Sequence, residues 1–442
     1  MGRPAGACGE HSEAAAVLTK LQLENVGPMV SSDISFAPRL NLLTGDNGLG
    51  KSFLLDLIWW ATTRTWPGEV NPKLLGGRMA RPYRSGAATI VSSVAGGSFS
   101  ASFDRKKQLW SCSEKENTNT SLVLYAQVDD SFSVWDPARN ATSEADDRPE
   151  AFVFGPTQVW DGLPGERGQP LCNGLIQDLA GWQKERGSTR RPRDLFSLFN
   201  QVIGALSPSE DEHLELGELA RVSLDDARDV PTLRMAYGDE VPMVYASAAM
   251  RRILALAYLL VWAHEEHREA SRLTGEQATR SIVFLLDEIE AHLHPRWQRK
   301  ILKSLLELLG AYLSASVQLV VTTHSPLVLA SVEPFFGEND AWFDLGLEAK
   351  IASLERKVVL EKRPFEPHGD VSSWLTSDAF DLPSARSLES EKLLQKAAEI
   401  IDNPQVENGS AQEVYRELVS ALSPTDPFLF RWRGICEKKG LL

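Results

Sequence analysis

Gly45-Asp46-Asn47-Gly48-Leu49-Gly50-Lys51-Ser52 decides how this chain folds. The octet fits G-x-x-x-x-G-K-[ST], a loop whose backbone N–H groups turn inward around phosphate oxygens. Gly45, Gly48 and Gly50 permit that turn, and a helix starting near Lys51 adds the positive end of its dipole. Lys51 is expected to reach the β- and γ-phosphates of a nucleotide, and Ser52 to hold Mg²⁺. The flanks agree with the motif. Arg39 to Thr44 (RLNLLT) reads as a strand and Ser52 to Thr63 as a helix, so the run Gly45 to Phe53 is expected to contact ATP.

Two further stretches carry acids and a histidine to strand ends. Ile282 to Leu286 is a buried-strand pattern followed at once by Asp287 and Glu288. Ligands of open α/β sheets sit at the carboxyl ends of strands, so both acids would face the phosphates. Asp287 is expected to bind Mg²⁺ through water, and Glu288 to polarise the attacking water. Gln318 to Thr322 is a second buried strand, ending in Thr323-His324-Ser325-Pro326, where His324 would sense a γ-phosphate.

These three stretches resemble the ABC-type ATPase head of non-transporter ATPases such as SMC, RecF and OLD-like proteins. The run Asp287-Glu288-Ile289-Glu290-Ala291-His292-Leu293-His294-Pro295, with the later THSP, is especially similar to the AAA-21-like ATPases of bacterial defence systems, including the Septu- and retron-associated ones. The resemblance covers about residues 17–345. It makes Lys51 and Ser52 the Walker A pair, Asp287 the Walker B acid, Glu288 the catalytic base, His324 the switch histidine, and Glu290 to His294 the D-loop region.

Such a head also carries an LSGGQ-like signature opening a helix before Walker B. Ser247-Ala248-Ala249-Met250-Arg251-Arg252 lies there, ahead of ILALAYLLVWA. Ser247 matches the signature serine, while Ala248 and Ala249 replace both glycines. Alanine keeps the N–H groups that would meet a γ-phosphate, so these three residues are expected to clasp ATP held by a second copy; an N-capped core helix is the alternative. For the family's Q-loop, Gln127 and Gln158 both follow strand-like stretches. Gln127 is the better placed to meet Mg²⁺.

Composition sets the outer bounds. The 442 residues are 43% hydrophobic and 24% charged, ordinary globular usage that excludes disorder of the whole chain. A net charge of −14 argues against constitutive, non-specific nucleic-acid binding but leaves room for a local basic groove. No apolar run approaches the roughly 20 residues that span a bilayer, and MGRPAGACGEHSEAAA lacks the apolar centre of a secretory signal. Four scattered cysteines without a C-x-x-C pair suit a reducing compartment. The expectation is a cytoplasmic protein with no membrane partner.

The expected fold is an α/β P-loop head with an antiparallel β layer, a short helical lobe and a C-terminal helical extension. Residues 1–16 read as a flexible tail and 17–345 as the head, with the β layer at about 86–136 and the helical lobe at about 194–267. Residues 137–193 read as long loops around one short helix, and 346–442 as an α/β-to-helical extension suited to interaction. His264-Glu265-Glu266-His267 reads as a solvated helix end, and Arg186, Arg190, Arg191 and Arg193 as a basic loop. No sustained heptads fall between Lys51 and Ser247, which argues against a long coiled-coil arm. The resemblance implies a homodimer or higher oligomer around ATP and a separate effector, a nuclease and in particular an HNH-type one, in anti-phage defence. Direct action on DNA, as in RecF-like repair ATPases, is the competing reading, and an ATP-assembled scaffold the third.

Overall fold

The computed structural model describes residues 17–94, 97–114, 117–141, 148–186, 194–311, 315–349, 356–402 and 408–441. Along the chain, β1 (Leu18–Val26), β2 (Met29–Ser35) and β3 (Leu40–Gly45) lead into α1 (Lys51–Thr63) and α2 (Pro67–Val70). Strands β4 (Thr89–Val94), β5 (Gly97–Asp104), β6 (Leu109–Cys112), β7 (Leu122–Ala126) and β8 (Phe132–Trp135) follow, then α3 (Pro137–Asn140), β9 (Phe152–Phe154) and α4 (Pro156–Asp161). A small hairpin, β10 (Leu163–Pro164) with β11 (Pro170–Cys172), precedes α5 (Leu175–Lys184) and α6 (Leu195–Ala205). Then come β12 (Glu215–Ala220), β13 (Val230–Arg234), β14 (Glu240–Pro242) and the long α7 (Ala248–Thr274). The head ends with β15 (Ser281–Leu286), α8 (Pro295–Gln298), α9 (Ile301–Ala311), β16 (Ser316–Thr322), α10 (Pro326–Val332), β17 (Asp340–Ala349) and β18 (Arg356–Arg363).

The main sheet has eight strands in the order β18-β17-β3-β16-β15-β7-β8-β9. Its middle five, β17, β3, β16, β15 and β7, are parallel, and the outer strands antiparallel. Parallel strands buried on both faces read as unbroken apolar runs, and Leu40 to Thr44 and Ile282 to Leu286 are buried at every position. A second, antiparallel sheet runs β2-β1-β4-β5-β6. Helix α1 lies in a core shared by the two sheets, which is why Leu54 to Ala61 is apolar almost all round its circumference. Gln318 of β16 ties the sheets together. Its amide nitrogen donates to Leu18 O and Ala37 O, and its oxygen accepts the Leu18 N–H.

The structure corrects several expectations. The β layer at 86–136 is divided: β4, β5 and β6 stay in the antiparallel sheet, whereas β7 and β8 join the main sheet and β7 pairs in parallel with β15. A short apolar strand carries no signal of its partner's direction, so LVLYA reads the same in either sheet. The expected helical lobe is mixed, because residues 215–242 form a three-stranded sheet between α6 and α7. Residues 137–193 contain α3, β9, α4, the β10–β11 hairpin and α5 rather than one helix.

The chain divides into two compact units, one ending at Pro367 and one running His368–Leu442. The boundary expected at 345/346 thus falls later, since β18 pairs with β17 along its whole length and extends the head's sheet. The second unit holds α11 (Val371–Leu375), α12 (Leu388–Asp402), α13 (Asn408–Ala421) and α14 (Pro427–Lys438). Its core gathers Ala397, Val414, Leu418 and Trp432, with the Trp432 indole donating to Ala397 O at 2.7 Å. Trp374 is fully buried and Phe430 exposed, so the aromatics of this region are divided between packing and surface. The tail 1–16 lies outside the described residues.

Candidate functional site

Four parallel strands end side by side, and their ends assemble the site. β3 delivers Gly45 and the loop to Lys51; β16, its neighbour, delivers Thr322 to His324; β15 delivers Asp287 and Glu288; β7 delivers Gln127. Gly45, Gly48 and Gly50 have φ of 128°, 80° and 100°, conformations that side chains resist. At Gly45 a Cβ would also stand 2.3 Å from Leu345 O on β17. Asp46, Asn47 and Gly48 are exposed and Leu49 is buried. Phe53 sits against Gly27 of the β1–β2 turn, where an added Cβ would meet its ring at 2.2 Å.

Lys51 is buried at the start of α1, its Nζ donating to Gly45 O at 2.7 Å and Asp46 O at 2.9 Å. No carboxylate of the described residues lies within salt-bridge distance. Burial pulls the ammonium's pKa down, and the fields of Glu288, Asp287, Asp46 and Glu290 oppose that pull. A buried cation held only by neutral carbonyls fits a polyphosphate, which would supply the missing charge. The Ser52 side chain is exposed beside it.

Asp287 and Glu288 are set by one hydroxyl. Thr322 Oγ1 donates to Asp287 Oδ1 at 2.7 Å and accepts the Glu288 N–H at 2.7 Å. Glu288 has φ of 44°, a left-handed conformation unusual outside glycine, and its carboxylate lies 3.8 Å from His324 Nε2. Burial, then the field of Lys51, lowers the His324 pKa, favouring a neutral imidazole. Glu290, expected only as part of the D-loop run, secures the histidine's loop: it accepts the His324 N–H at 2.5 Å and the Thr323 hydroxyl at 2.7 Å.

Gln127 is buried, with its amide oxygen accepting Ser131 Oγ at 2.6 Å. Gln158 instead caps α4, accepting the Gly155 N–H and the Asn71 amide, so the two glutamines part ways. Ser247 and Ala248 are exposed at the start of α7 and Ala249 is half-buried. The Ser247 hydroxyl accepts the Met250 N–H at 3.3 Å as an N-cap. These three residues are therefore not brought to the strand ends of their own chain.

Arg252 lies one turn further along α7. It is buried, and its guanidinium joins both halves of the site. It donates to Val128 O at 3.3 Å and Asp130 Oδ1 at 2.7 Å on one side, and to Asp287 O at 3.0 Å on the other. His267 is also not solvated: it is buried, with Nδ1 2.7 Å from Asp136 Oδ1 and Nε2 accepting the Thr279 N–H. Arg190, Arg191 and Arg193 lie outside the described residues.

Residues 20–116 match a family model described as "AAA domain", and residues 123–330 match one described as "AAA domain, putative AbiEii toxin, Type IV TA system". The chain resembles the ABC-type ATPases of defence systems. Its relatives include the Septu protein PtuA of Bacillus thuringiensis, 21% identical over 313 residues, or 70% of this chain and 72% of PtuA. The "Retron Ec83 probable ATPase" of Escherichia coli is 26% identical over 36% of this chain, a stretch spanning 26% of that relative. Among solved structures, the SMC head domain from Thermotoga maritima is matched over 78% of this chain and 99% of its own, at 15% identity and a TM-score of 0.37. RecF bound to ATP is matched over 81% and 100%, at 14% identity and 0.39.

Two features of this chain lay outside the motifs. Asp56, one turn after Ser52 on α1, is buried and accepts the Tyr125 hydroxyl at 3.1 Å. Burial raises its carboxyl to about 7. Exposed Arg81, Arg84, Arg105, Lys106 and Lys107 share one rim of the antiparallel sheet, linked by Arg105 donating to Arg84 O and Arg81 to Gln108. A chain of net charge −14 draws attention away from such a cluster, whose members come from two separated stretches.

Proposed function

We propose that this chain binds and hydrolyses ATP, pairs with a second copy around the nucleotide, and gates a separate effector, an HNH-type nuclease in the first instance, in bacterial anti-phage defence. The observation that supports the ATPase chemistry most directly is the buried Lys51, opposite Glu288 and His324 across the strand ends. On this reading Lys51 exchanges its two carbonyl partners for phosphate oxygens, and the N–H groups of the run Gly45 to Phe53 line the triphosphate. Ser52, Asp287 and Gln127 hold Mg²⁺, which neutralises developing charge on the phosphates. Among the described residues no cluster of three or more His, Cys, Asp and Glu could hold a metal alone, so phosphate oxygens would complete the shell. Glu288 takes the proton of the attacking water, and neutral His324 hydrogen-bonds the γ-phosphate. Ser247, Ala248 and Ala249, turned outward, serve the ATP of the paired copy.

The effector role rests on likeness to PtuA across most of both chains. Glu288→Gln chains, purified from the native host with ATP and Mg²⁺, test it: a stoichiometric protein partner that survives nuclease treatment is expected. An eluate with no such partner counts against effector control.

The basic rim favours a second reading, direct action on DNA. Five exposed cations on one rim suit a phosphate backbone. Strong, salt-dependent DNA binding by the chain alone, lost on Arg84→Glu with Lys106→Glu, would favour it.

A further inference from the structure

The two ends of the phosphate loop meet different neighbours. At Gly45 the carbonyl of Leu345 on β17 closes the approach. Gly50 instead faces the turn between β1 and β2, where an added Cβ would stand 3.0 Å from Pro28 Cγ, and Phe53 packs on Gly27 of the same turn. With the nucleotide seated as proposed above, the reading on which this inference rests, the γ-phosphate lies toward Glu288 and His324. The α-phosphate then lies on the N–H groups that open α1. The nucleoside leaves past Phe53, over the β1–β2 turn.

A second segment is fastened to that turn. Gly27 donates its N–H to Arg81 O at 3.0 Å, Val26 bridges Pro82, and Tyr83 donates its N–H to Asn25 O at 3.1 Å. Asn25, at a φ of 56°, spends both ends of its amide on the same segment. Its Oδ1 accepts the Arg84 N–H at 2.8 Å, and its Nδ2 donates to Arg84 O and Ala87 O, each at 3.1 Å. Arg105 donates to Arg84 O at 2.6 Å and Gly86 O at 2.9 Å. The backbone of Tyr83 is thus held against the turn that meets the phosphate loop, while Tyr83 itself is 52% exposed. The Arg84 guanidinium stands over the ring, 5.2 Å from its centroid. A ring presented from so fixed a backbone has little freedom left to lose on binding, which favours a flat ligand laid on its face.

We propose that Tyr83 stacks on the base of the nucleotide held by the phosphate loop. Every base has a π-face, so the ring supplies affinity for the base without reading its edge. The phosphates are held elsewhere, by the loop and Lys51, so the two contributions separate when the base is removed from the ligand.

Isothermal titration with ATPγS and with tripolyphosphate, which has no base, each with Mg²⁺, compares the parent chain with Tyr83→Ala and Tyr83→Trp. Tyr83→Ala should bind ATPγS at least about fivefold more weakly. It should bind tripolyphosphate as the parent does, which also shows that it folds. Tyr83→Trp should bind ATPγS at least as tightly as the parent. In steady state, Tyr83→Ala should raise KM for ATP and leave kcat unchanged, the pattern of lost uniform binding. Equal weakening for both ligands, or none for ATPγS, would overturn the proposal. So would a loss of DNA affinity with ATPγS affinity untouched, which would hand the ring to the DNA reading. A parent chain that binds neither ligand would instead refute the nucleotide site itself, and the role of Tyr83 with it.

Discussion

Glu290 and His324 meet through the backbone: the carboxylate accepts the histidine's N–H at 2.5 Å and, through its other oxygen, the neighbouring Thr323 hydroxyl at 2.7 Å. The acid that follows the proposed base by two residues therefore fixes the loop of the proposed sensor. Glu290→Ala removes two charge-assisted bonds of ~1.5–3 kcal/mol each. We expect kcat to fall by ten- to hundred-fold with little change in ATP affinity. Steady-state kinetics beside equilibrium nucleotide binding check it; a loss confined to affinity would reassign Glu290.

Thr322 orders both acids of β15 with one hydroxyl, so Thr322→Val is a nearly isosteric probe. Valine leaves the Glu288 N–H unpaired at a backbone already in the left-handed region. Turnover should drop at least about tenfold, with a stability loss of ~1–3 kcal/mol. A single-turnover assay and a urea melt separate the two effects. Unchanged turnover would mean that Glu288 needs no such anchor.

Arg252→Ala strips hydrogen bonds from Val128 O and Asp287 O and from the half-exposed Asp130. A destabilisation of about 3 kcal/mol is expected, because buried acceptors lose their donor. Arg252→Lys should recover only part, since an ammonium cannot present a fork to both sides. Chemical denaturation of the two variants decides; equal stability of the lysine form and the parent would contradict a bridging role.

Asp56 makes a pH signature. Its folded pKa, raised to about 7 by burial, exceeds the ordinary 3.8, so the folded chain keeps a proton that the unfolded chain releases. The stability linked to that proton is fully present below about pH 4 and is lost as pH rises to about 7. Asp56→Asn cannot titrate. It should be more stable than the parent at pH 8, by up to an amount on the order of 4 kcal/mol, and the gap should narrow as pH falls and close only below about pH 4. Parallel melting curves across that range would refute the assignment.

Much of the site was legible because its residues lie next to each other in sequence at strand ends. Gly45 to Ser52, Asp287-Glu288 and Thr323-His324 each carry their strand with them. What stayed hidden was joined across long separations. Arg252 looks like any helix cation until α7 is laid against β7 and β15, and Glu290 looks like one acid among several. Direction of pairing was equally silent, so β7 was read into the wrong sheet. The three strands at 215–242 were missed because an acidic stretch with leucines fits a helix as well as a hairpin.

The neighbours of β3 are β16 and β17, which follow it by more than 270 residues. A ribosome that has made the phosphate loop has thus made nothing that can use it. The strand must wait for nearly the entire head to emerge before it acquires either flank, and Leu18 waits equally for Gln318. Pairings so distant in sequence are slow to form. Chains cut short before Thr322 therefore lack both His324 and the hydroxyl that orders Asp287 and Glu288, and an aborted synthesis cannot leave behind an assembled site.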